Sequence, residues 1–328
     1  MPQDFLDLID LAAERLGASV VAANDEFFAP KENLIRADAP RWREGEYTER
    51  GKWMDGWETR RRRDAGDDWC ILRLGVPGVV RGVDVETTHF KGNYPEACAV
   101  ESCDVVGPAS ASDLGQATWI EILPRTPLAG DTHNLFAVAG APRATHLRLR
   151  IFPDGGVARL RVYGEVVPDW ARLRLRGDVD LAAAEHGGTV VACSDMFFGS
   201  RHHLIMPGDA RNMGDGWETK RRRGPGHDWT IVKLGTTGAI RRIEVDTRLF
   251  KGNAPGACSL EGCTASLSAP GAPAGAEWRD LLPRIALQPD ARHAFEDQVL
   301  SLGALTHVRL NIFPDGGVGR LRLFGRPA

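Results

Sequence analysis

The dominant period along this chain is two. In Thr145-His146-Leu147-Arg148-Leu149-Arg150-Ile151-Phe152, the apolar Leu147, Leu149 and Ile151 share one face and Arg148 and Arg150 share the other, which predicts a half-buried β-strand. Pro153-Asp154-Gly155-Gly156 reads as a turn, because proline presets its own φ and glycine admits positive values. Residues 157–163 then return with Leu160 and Val162 inward and Arg159 and Arg161 outward, so a hairpin is expected whose four arginines form one cationic sheet face. The pattern recurs at residues 308–324. Further short strands are expected at residues 71–74, 82–87 and 97–101, set apart by Gly and Pro signals, and one helix is expected at about residues 5–16. Many short alternating strands with Gly-rich turns predict an all-β fold of antiparallel sandwich or jelly-roll type.

The chain says this twice. Asp10-Leu11-Ala12-Ala13 matches Asp180-Leu181-Ala182-Ala183, and Asp25, Phe27 and Phe28 match Asp195, Phe197 and Phe198, all 170 positions apart. From Asp55-Gly56-Trp57-Glu58-Thr59-Arg60-Arg61-Arg62-Arg63 and Asp215-Gly216-Trp217-Glu218-Thr219-Lys220-Arg221-Arg222-Arg223 onward the separation is 160, so the first half holds about ten extra residues between Leu34 and Asp55. That insertion contains Arg41, Trp42, Arg43, Glu44, Tyr47 and Glu49 and is expected to be a polar loop. The correspondence continues through Phe90-Lys91-Gly92-Asn93 and Phe250-Lys251-Gly252-Asn253 to Ile151-Phe152-Pro153-Asp154-Gly155-Gly156 and Ile312-Phe313-Pro314-Asp315-Gly316-Gly317. A duplication of this length predicts two tandem domains, 1–165 and 166–328, with Pro168 interrupting the strand pattern between them.

Composition narrows the class of function. With 328 residues, 43% hydrophobic and 26% charged, the chain suits two globular domains. Its 41 basic and 44 acidic residues leave a net charge of −3, which argues against a nucleic-acid partner or an anionic membrane surface. There is no run of about 20 apolar residues for a membrane span, and residues 1–10 are acidic where a signal peptide is basic, so a cytoplasmic protein is expected. Six cysteines fit that compartment, and Cys98 with Cys103, like Cys258 with Cys263, should point to opposite faces of a strand and form neither a disulfide nor a metal clasp.

Familiar catalytic signatures are absent: the chain has no Gly-rich phosphate loop, no His pair one helical turn apart and no Gly-x-Ser-x-Gly elbow. Adjacent His202 and His203 would diverge on a strand, so no metal site is demanded and no cofactor is required. Polar residues instead gather near turns: Asp25, Glu58, His89, Lys91, Asn93 and Asp154 lie at or near expected strand ends, and a jelly roll collects such ends at a common mouth. Lys91-Gly92-Asn93 offers a cation and an amide to one small polar ligand, whereas Asp154-Gly155-Gly156 reads more as turn chemistry. The copies differ where His89 becomes Leu249, Glu26 becomes Met196, Glu32 becomes His202 and Arg150 becomes Asn311, which draws attention to the first copy.

The duplicated blocks at residues 55–63, 68–69, 90–93 and 151–156 resemble the allantoicase family, over nearly the whole chain. The resemblance implies hydrolysis of allantoate to ureidoglycolate and urea, a galactose-binding-like jelly roll in each repeat, and commonly a homo-oligomer. It supplies no catalytic set, so the candidates come from chemistry. Cleavage at a carbon bearing two ureido groups needs a proton donor for the departing nitrogen and a base for water, for which Glu58 and His89 are the candidates. Lys91, Asn93 and an arginine, Arg61 or Arg150, are the candidate substrate-binding groups, with Glu218, Lys251 and Asn253 as second-repeat counterparts. The competing reading is a non-catalytic double jelly roll that binds a small ligand or carbohydrate at two equivalent sites.

Overall fold

The structure, a computed structural model, describes residues 4–105, 107–268 and 271–328 and divides into two units, Met1–Val167 and Pro168–Ala328. The strands of the first are β1 (Ile9–Asp10), β2 (Ser19–Ala23), β3 (Tyr47–Thr48), β4 (Gly51–Lys52), β5 (Trp57–Glu58), β6 (Asp68–Glu86), β7 (Ala97–Cys103), β8 (Ile120–Pro127), β9 (His133–Ala137), β10 (Arg143–Phe152), β11 (Gly156–Val157) and β12 (Arg159–Val166). The second unit repeats them as β13 (Val179–Asp180), β14 (Thr189–Cys193), β15 (Trp217–Glu218), β16 (Asp228–Asp246), β17 (Ala257–Cys263), β18 (Arg279–Ala286), β19 (Arg292–Phe295), β20 (Leu305–Phe313), β21 (Gly317–Val318) and β22 (Arg320–Pro327), with nothing among the described residues corresponding to β3 and β4.

The 19-residue β6 belongs to both layers of its sandwich. Its first part lies between β2 and β10, pairing Leu72 with Val20 and with Leu147. Beyond Gly78 it lies between β9 and β12, pairing Val83 with Phe136 and with Val162. The crossing point falls at Val76-Pro77-Gly78, where a side chain on Gly78 would bring a Cβ within 2.6 Å of the Glu165 carbonyl oxygen. The separate strands expected at residues 71–74 and 82–87 are therefore one strand interrupted in its pattern, not in its path. The second unit's β16 does the same, pairing with β14 and β20 and then with β19 and β22.

That crossing corrects the expected hairpin. β10 and β12 pair with opposite ends of β6 and not with each other, so the Pro153 to Gly156 turn carries the chain from one layer to the other. The four arginines consequently do not share a face. Arg148 pairs with Glu101 and Arg150 with Asp67 on the β10 layer. Arg159, expected to face water, is fully buried on the β12 layer because the segment ending at Asp55 folds over it. Its Nε donates to the Asp38 carbonyl (2.9 Å), Nη1 to those of Asp55 (2.9 Å) and Ala158 (2.7 Å), and Nη2 to Asp55 Oδ2 (3.0 Å). Burial alone would raise the Asp55 carboxyl, but hydrogen bonds from Arg159 and the Arg41 N–H, with the nearby guanidinium charges, hold it below its ordinary range.

Between the layers lies one apolar cluster that includes Leu72 and Val83 of β6, Val100 of β7, Leu147, Leu149 and Ile151 of β10, Leu160 and Val162 of β12, and Trp57. Period-two alternation produces it. Cys98 joins this cluster, whereas Cys103 sits on the outer face with Ile71 and Leu114, so the two thiols do diverge; burial pushes them to about 12 and about 11. The expected N-terminal helix is instead two 3₁₀ turns, Asp4–Asp7 and Glu14–Leu16, around β1. Its helix-like apolar spacing arises because Leu11 and Leu16 reach the core from a strand end and a turn, while Asp10 accepts hydrogen bonds from Ala12 N and Val162 N. The insertion expected as a loop carries the small β3–β4 ladder. His202 and His203 lie in the 3₁₀ turn Arg201–Ile205, not on a strand.

Arg159→Ala should destabilise the first unit by roughly 3–5 kcal/mol, since it strands the buried Asp55 carboxylate and three carbonyls. Thermal unfolding followed by tryptophan fluorescence should show this loss at pH 7 and show it shrinking as pH falls from the ordinary Asp55 value of 3.8 through its lower folded-state value, below which that carboxyl is protonated in both states.

Candidate active site

The phrase around Trp57 becomes one wall of a cavity because β5 is pinned on both sides. Trp57 pairs with Val157 and Glu58 with Gly156 of β11, and on the other side Phe28 N and Ala29 N donate to the Glu58 carbonyl at 3.2 and 3.3 Å. Trp57 points inward, fully buried, and its Nε1 donates to the Asp25 carbonyl at 2.8 Å. Alternation then turns Glu58 outward. The opposite wall is the segment after Phe90. Gly156 N donates to the Asn93 carbonyl at 2.8 Å, and Gly155, at φ 139°, lies so close that a Cβ would meet the same oxygen at 2.8 Å. Arg62 N donates to Asp154 Oδ2 (2.8 Å), so Asp154 fixes the arginine run to this turn.

The result is a cavity of about 780 Å³ lined by Glu58, Arg61, Arg63, Asn93, Tyr94 and Glu96 among others, a size suited to a small polar molecule. Burial raises the Glu58 carboxyl above its ordinary value of 4.5, only partly offset by the hydrogen bond from Asn93 Nδ2 at 2.7 Å. The four cations alternate in employment. Arg60 is held by Asp25, with Nη2 at 2.6 Å from Oδ2, and Arg62 by Asp68, with Nη1 at 2.7 Å from Oδ1. Arg61 and Arg63, both exposed, have no ion pair or hydrogen bond among the described residues, so their donors face the cavity uncommitted. A protonatable carboxyl beside two free guanidiniums can bind an anion and pass a proton to it.

Three candidates therefore meet here: Glu58, Asn93 and Arg61. The others lie elsewhere. His89 occupies a left-handed corner, φ 71°, with its N donating to Asp131 Oδ1 (2.8 Å), its Nε2 3.3 Å from the Pro40 carbonyl and its ring against Trp42. Leu249 repeats that corner at φ 76° with the matching bond to Asp290, so His89 differs from Leu249 because it packs on an insertion that only the first unit has. Lys91 is exposed, with Nζ 3.7 Å from Asp131, as Lys251 is with Asp290. Arg150 is committed bidentately to Asp67 at 2.8 and 2.7 Å and stacks over Phe152. Glu26 holds Lys31 and borders a second cavity with Phe27, Phe28 and Arg50. Among the described residues, no three or more of His, Cys, Asp and Glu gather as metal ligands.

The second unit keeps the frame. Glu218 pairs with Gly317, Asn253 Nδ2 donates to Glu218 Oε1 at 2.6 Å, Arg222 N donates to Asp315 Oδ2 at 2.7 Å, and Arg222 pairs with Asp228. Three cavity residues are not kept. Arg60 becomes Lys220, a cation that still pairs with Asp195, whereas Tyr94 and Glu96 become Ala254 and Gly256. Laying Tyr94-Pro95-Glu96 against Ala254-Pro255-Gly256 would have found them from sequence, since they sit directly beyond the Lys-Gly-Asn block.

Comparison with known proteins agrees with this architecture. The family profile described as allantoicase repeat matches residues 9–167 and 179–328. A probable allantoicase of Pseudomonas aeruginosa (strain UCBPP-PA14) is 50% identical, covering 98% of this chain and 97% of its own length. One of Nocardia farcinica (strain IFM 10152) is also 50% identical, covering 99% of this chain and 96% of its own. The crystal structure of allantoicase from Saccharomyces cerevisiae superposes with a TM-score of 0.81 at 36% identity, over 97% of this chain and 92% of that one.

The raised Glu58 carboxyl gives a stability test. A carboxyl raised by folding favours the folded state while protonated and loses that advantage as pH rises through its folded value. Glu58→Gln, which keeps an acceptor for Asn93, should therefore raise the first unit's melting temperature over wild type at pH 8, with the difference vanishing as pH falls below the ordinary value of 4.5. Calorimetric scans across pH check it.

Proposed function

This chain belongs to the allantoicase family, and we propose that the first unit's cavity is where it hydrolyses allantoate to ureidoglycolate and urea. The single observation that carries the placement is Glu58, a carboxyl raised by burial and facing two uncommitted guanidiniums. Allantoate is a carboxylate with two ureido arms on one carbon. Arg61 and Arg63 take the carboxylate, for which a guanidinium's planar fork is well shaped. Asn93 holds Glu58 and presents amide chemistry to a ureido arm. Protonated Glu58 delivers its proton to the departing ureido nitrogen, so that urea leaves as a neutral molecule.

Burial suits this carboxyl to the role. A general acid works better the more firmly it holds its proton toward neutral pH, and burial raises Glu58 in that direction. Arg60 and Arg62, neutralised by Asp25 and Asp68, shape the wall without competing for the substrate. His89, Lys91 and Arg150 are left outside this reading, since each is occupied away from the cavity.

No helix among the described residues is long and apolar enough to cross a membrane. A cytoplasmic homo-oligomer belongs to the same proposal, supported by the family membership and by six free cysteines.

With allantoate as substrate and urea release as the assay, Glu58→Gln should lower kcat by about 100-fold or more while leaving KM near wild type. Arg61→Ala should instead raise KM, and kcat of the wild type should fall as pH rises through the elevated Glu58 value, a limb that Glu58→Gln removes. A Glu58→Gln protein as fast as wild type would sink this placement.

A further inference from the structure

The two units carry the same backbone around their Glu residues but not the same lining, and apart from the exchange of one cation for another at Arg60 and Lys220 the difference is confined to one spot. Glu96 N donates to the Phe152 carbonyl and its own carbonyl accepts from Leu128 N at 3.0 Å; Gly256 makes the matching bonds to Phe313 and Leu287. Neither position requires a particular side chain for the fold, yet one has a carboxylate directed to solvent at the cavity rim and the other has nothing. Tyr94 tells the same story through its support. Its ring lies against Gly130 so closely that any Cβ there would collide with it. In the second unit Tyr94 is replaced by Ala254, and the position that matches Gly130 holds Pro289. A compensated pair of changes marks the first unit's aromatic wall as built around its ring.

Glu58 supplies only half of what the reaction needs. Hydrolysis also requires a group that removes a proton from water, and a carboxyl that delivers its proton to the departing nitrogen cannot take one from water in the same step. Glu96 lines the same cavity as Arg61 and Arg63 and is a second carboxyl in a different setting: exposed to solvent where Glu58 is half-buried and hydrogen-bonded by Asn93. Two carboxyls separated by environment into an acid and a base is a recurrent arrangement in hydrolysis.

We propose that the first unit alone performs the reaction and that Glu96 is its base, with Tyr94 as the wall that holds the substrate between Glu58 and Glu96. Water gives one proton to the Glu96 carboxylate as its oxygen bonds to the central carbon. The electron pair of the breaking C–N bond goes to the ureido nitrogen, which takes the Glu58 proton. Glu58 ends ionised and Glu96 protonated, and exchange with solvent restores both. If the C–N bond breaks before water adds, the same proton leaves the same water for the same carboxylate. The second unit, with Gly256 and Ala254, keeps the acid's frame and lacks the base and the wall.

This rests on the placement at Glu58, so the test separates the two. Urea and ureidoglycolate formation from allantoate are measured for Glu96→Gln, Glu58→Gln, Arg61→Ala and Arg221→Ala in the full chain, with folding checked by circular dichroism. Because the second unit folds with glycine at this position, Glu96→Gly is a second variant that leaves the backbone bonds in place. Both Glu96 variants should lose about 100-fold or more in kcat with KM little changed, and the acidic limb of the kcat–pH profile should disappear. Arg221→Ala should match wild type where Arg61→Ala raises KM. Wild-type kcat in Glu96→Gln, alongside an inactive Glu58→Gln, overturns the base assignment alone. An Arg221→Ala protein as impaired as Arg61→Ala overturns the restriction to the first unit. Full activity in Glu58→Gln removes the cavity placement and this inference with it.

Discussion

A buried guanidinium sets the geometry on which the cavity depends. Arg159 sits fully enclosed with four hydrogen bonds, three to carbonyls and one to the Asp55 carboxylate. Burying a charge is tolerable only when its donors are satisfied, so the segment that satisfies them has no freedom to wander. Asp55 is thereby fixed three residues before Glu58, and Gly56 must follow without a side chain, since a Cβ there would come within 2.5 Å of the Val157 carbonyl oxygen. From that point strand alternation aims Trp57 inward and Glu58 at the cavity. Arg320 performs the same service in the second unit, hydrogen-bonding the carbonyls of Gly208, Asp215 and Gly319. Burial there is uncompensated enough to lower its guanidinium to about 10.

Duplication separates what the fold needs from what the chemistry needs. The Trp, the Glu–Asn hydrogen bond, the Asp that caps the arginine run and the glycines that meet Phe90 or Phe250 appear in both units. Features that hold a strand at the edge of a sandwich cannot be relaxed in either copy without losing the sandwich. The lining residues beyond them are free of that duty. The phrase around Trp57 is thus a structural frame that happens to deliver a carboxyl, and the distinction between the units lies in what surrounds the delivered group.

Much of this was legible in the chain. Period-two alternation located β10, β12 and β7, the repeat located two like units, and the resemblance carried by the paired blocks pointed to the family. What alternation cannot reveal is partner choice. Leu147 and Leu160 look alike on either side of a turn, but β10 and β12 join different ends of β6, because a strand that changes layers reads in sequence as two short strands. Burial by remote segments is equally silent: Arg159 looks like Arg148 until residues 38 and 55 close over it. At the site, Glu58, Arg61 and Asn93 were visible as polar residues beside turns. His89 drew attention by being unique to one copy, yet its uniqueness follows from the insertion it packs against. Glu96 and Tyr94 went unnoticed because they carry no motif.

The shared strand also has a kinetic side. In each unit β6 or β16 pairs with strands drawn from both ends of the domain, β2 with β10 and β9 with β12 in the first. Such pairing is mostly non-local, so loop-closure entropy is lost before the core repays it, and folding of each unit is slow relative to helical domains of its size. Two tandem units with closely similar strands then present each growing β6 with two acceptable partners, its own β10 and the neighbour's β20. A duplicated chain of this kind therefore meets, before any substrate is bound, the general hazard of pairing a strand with the wrong copy while it folds.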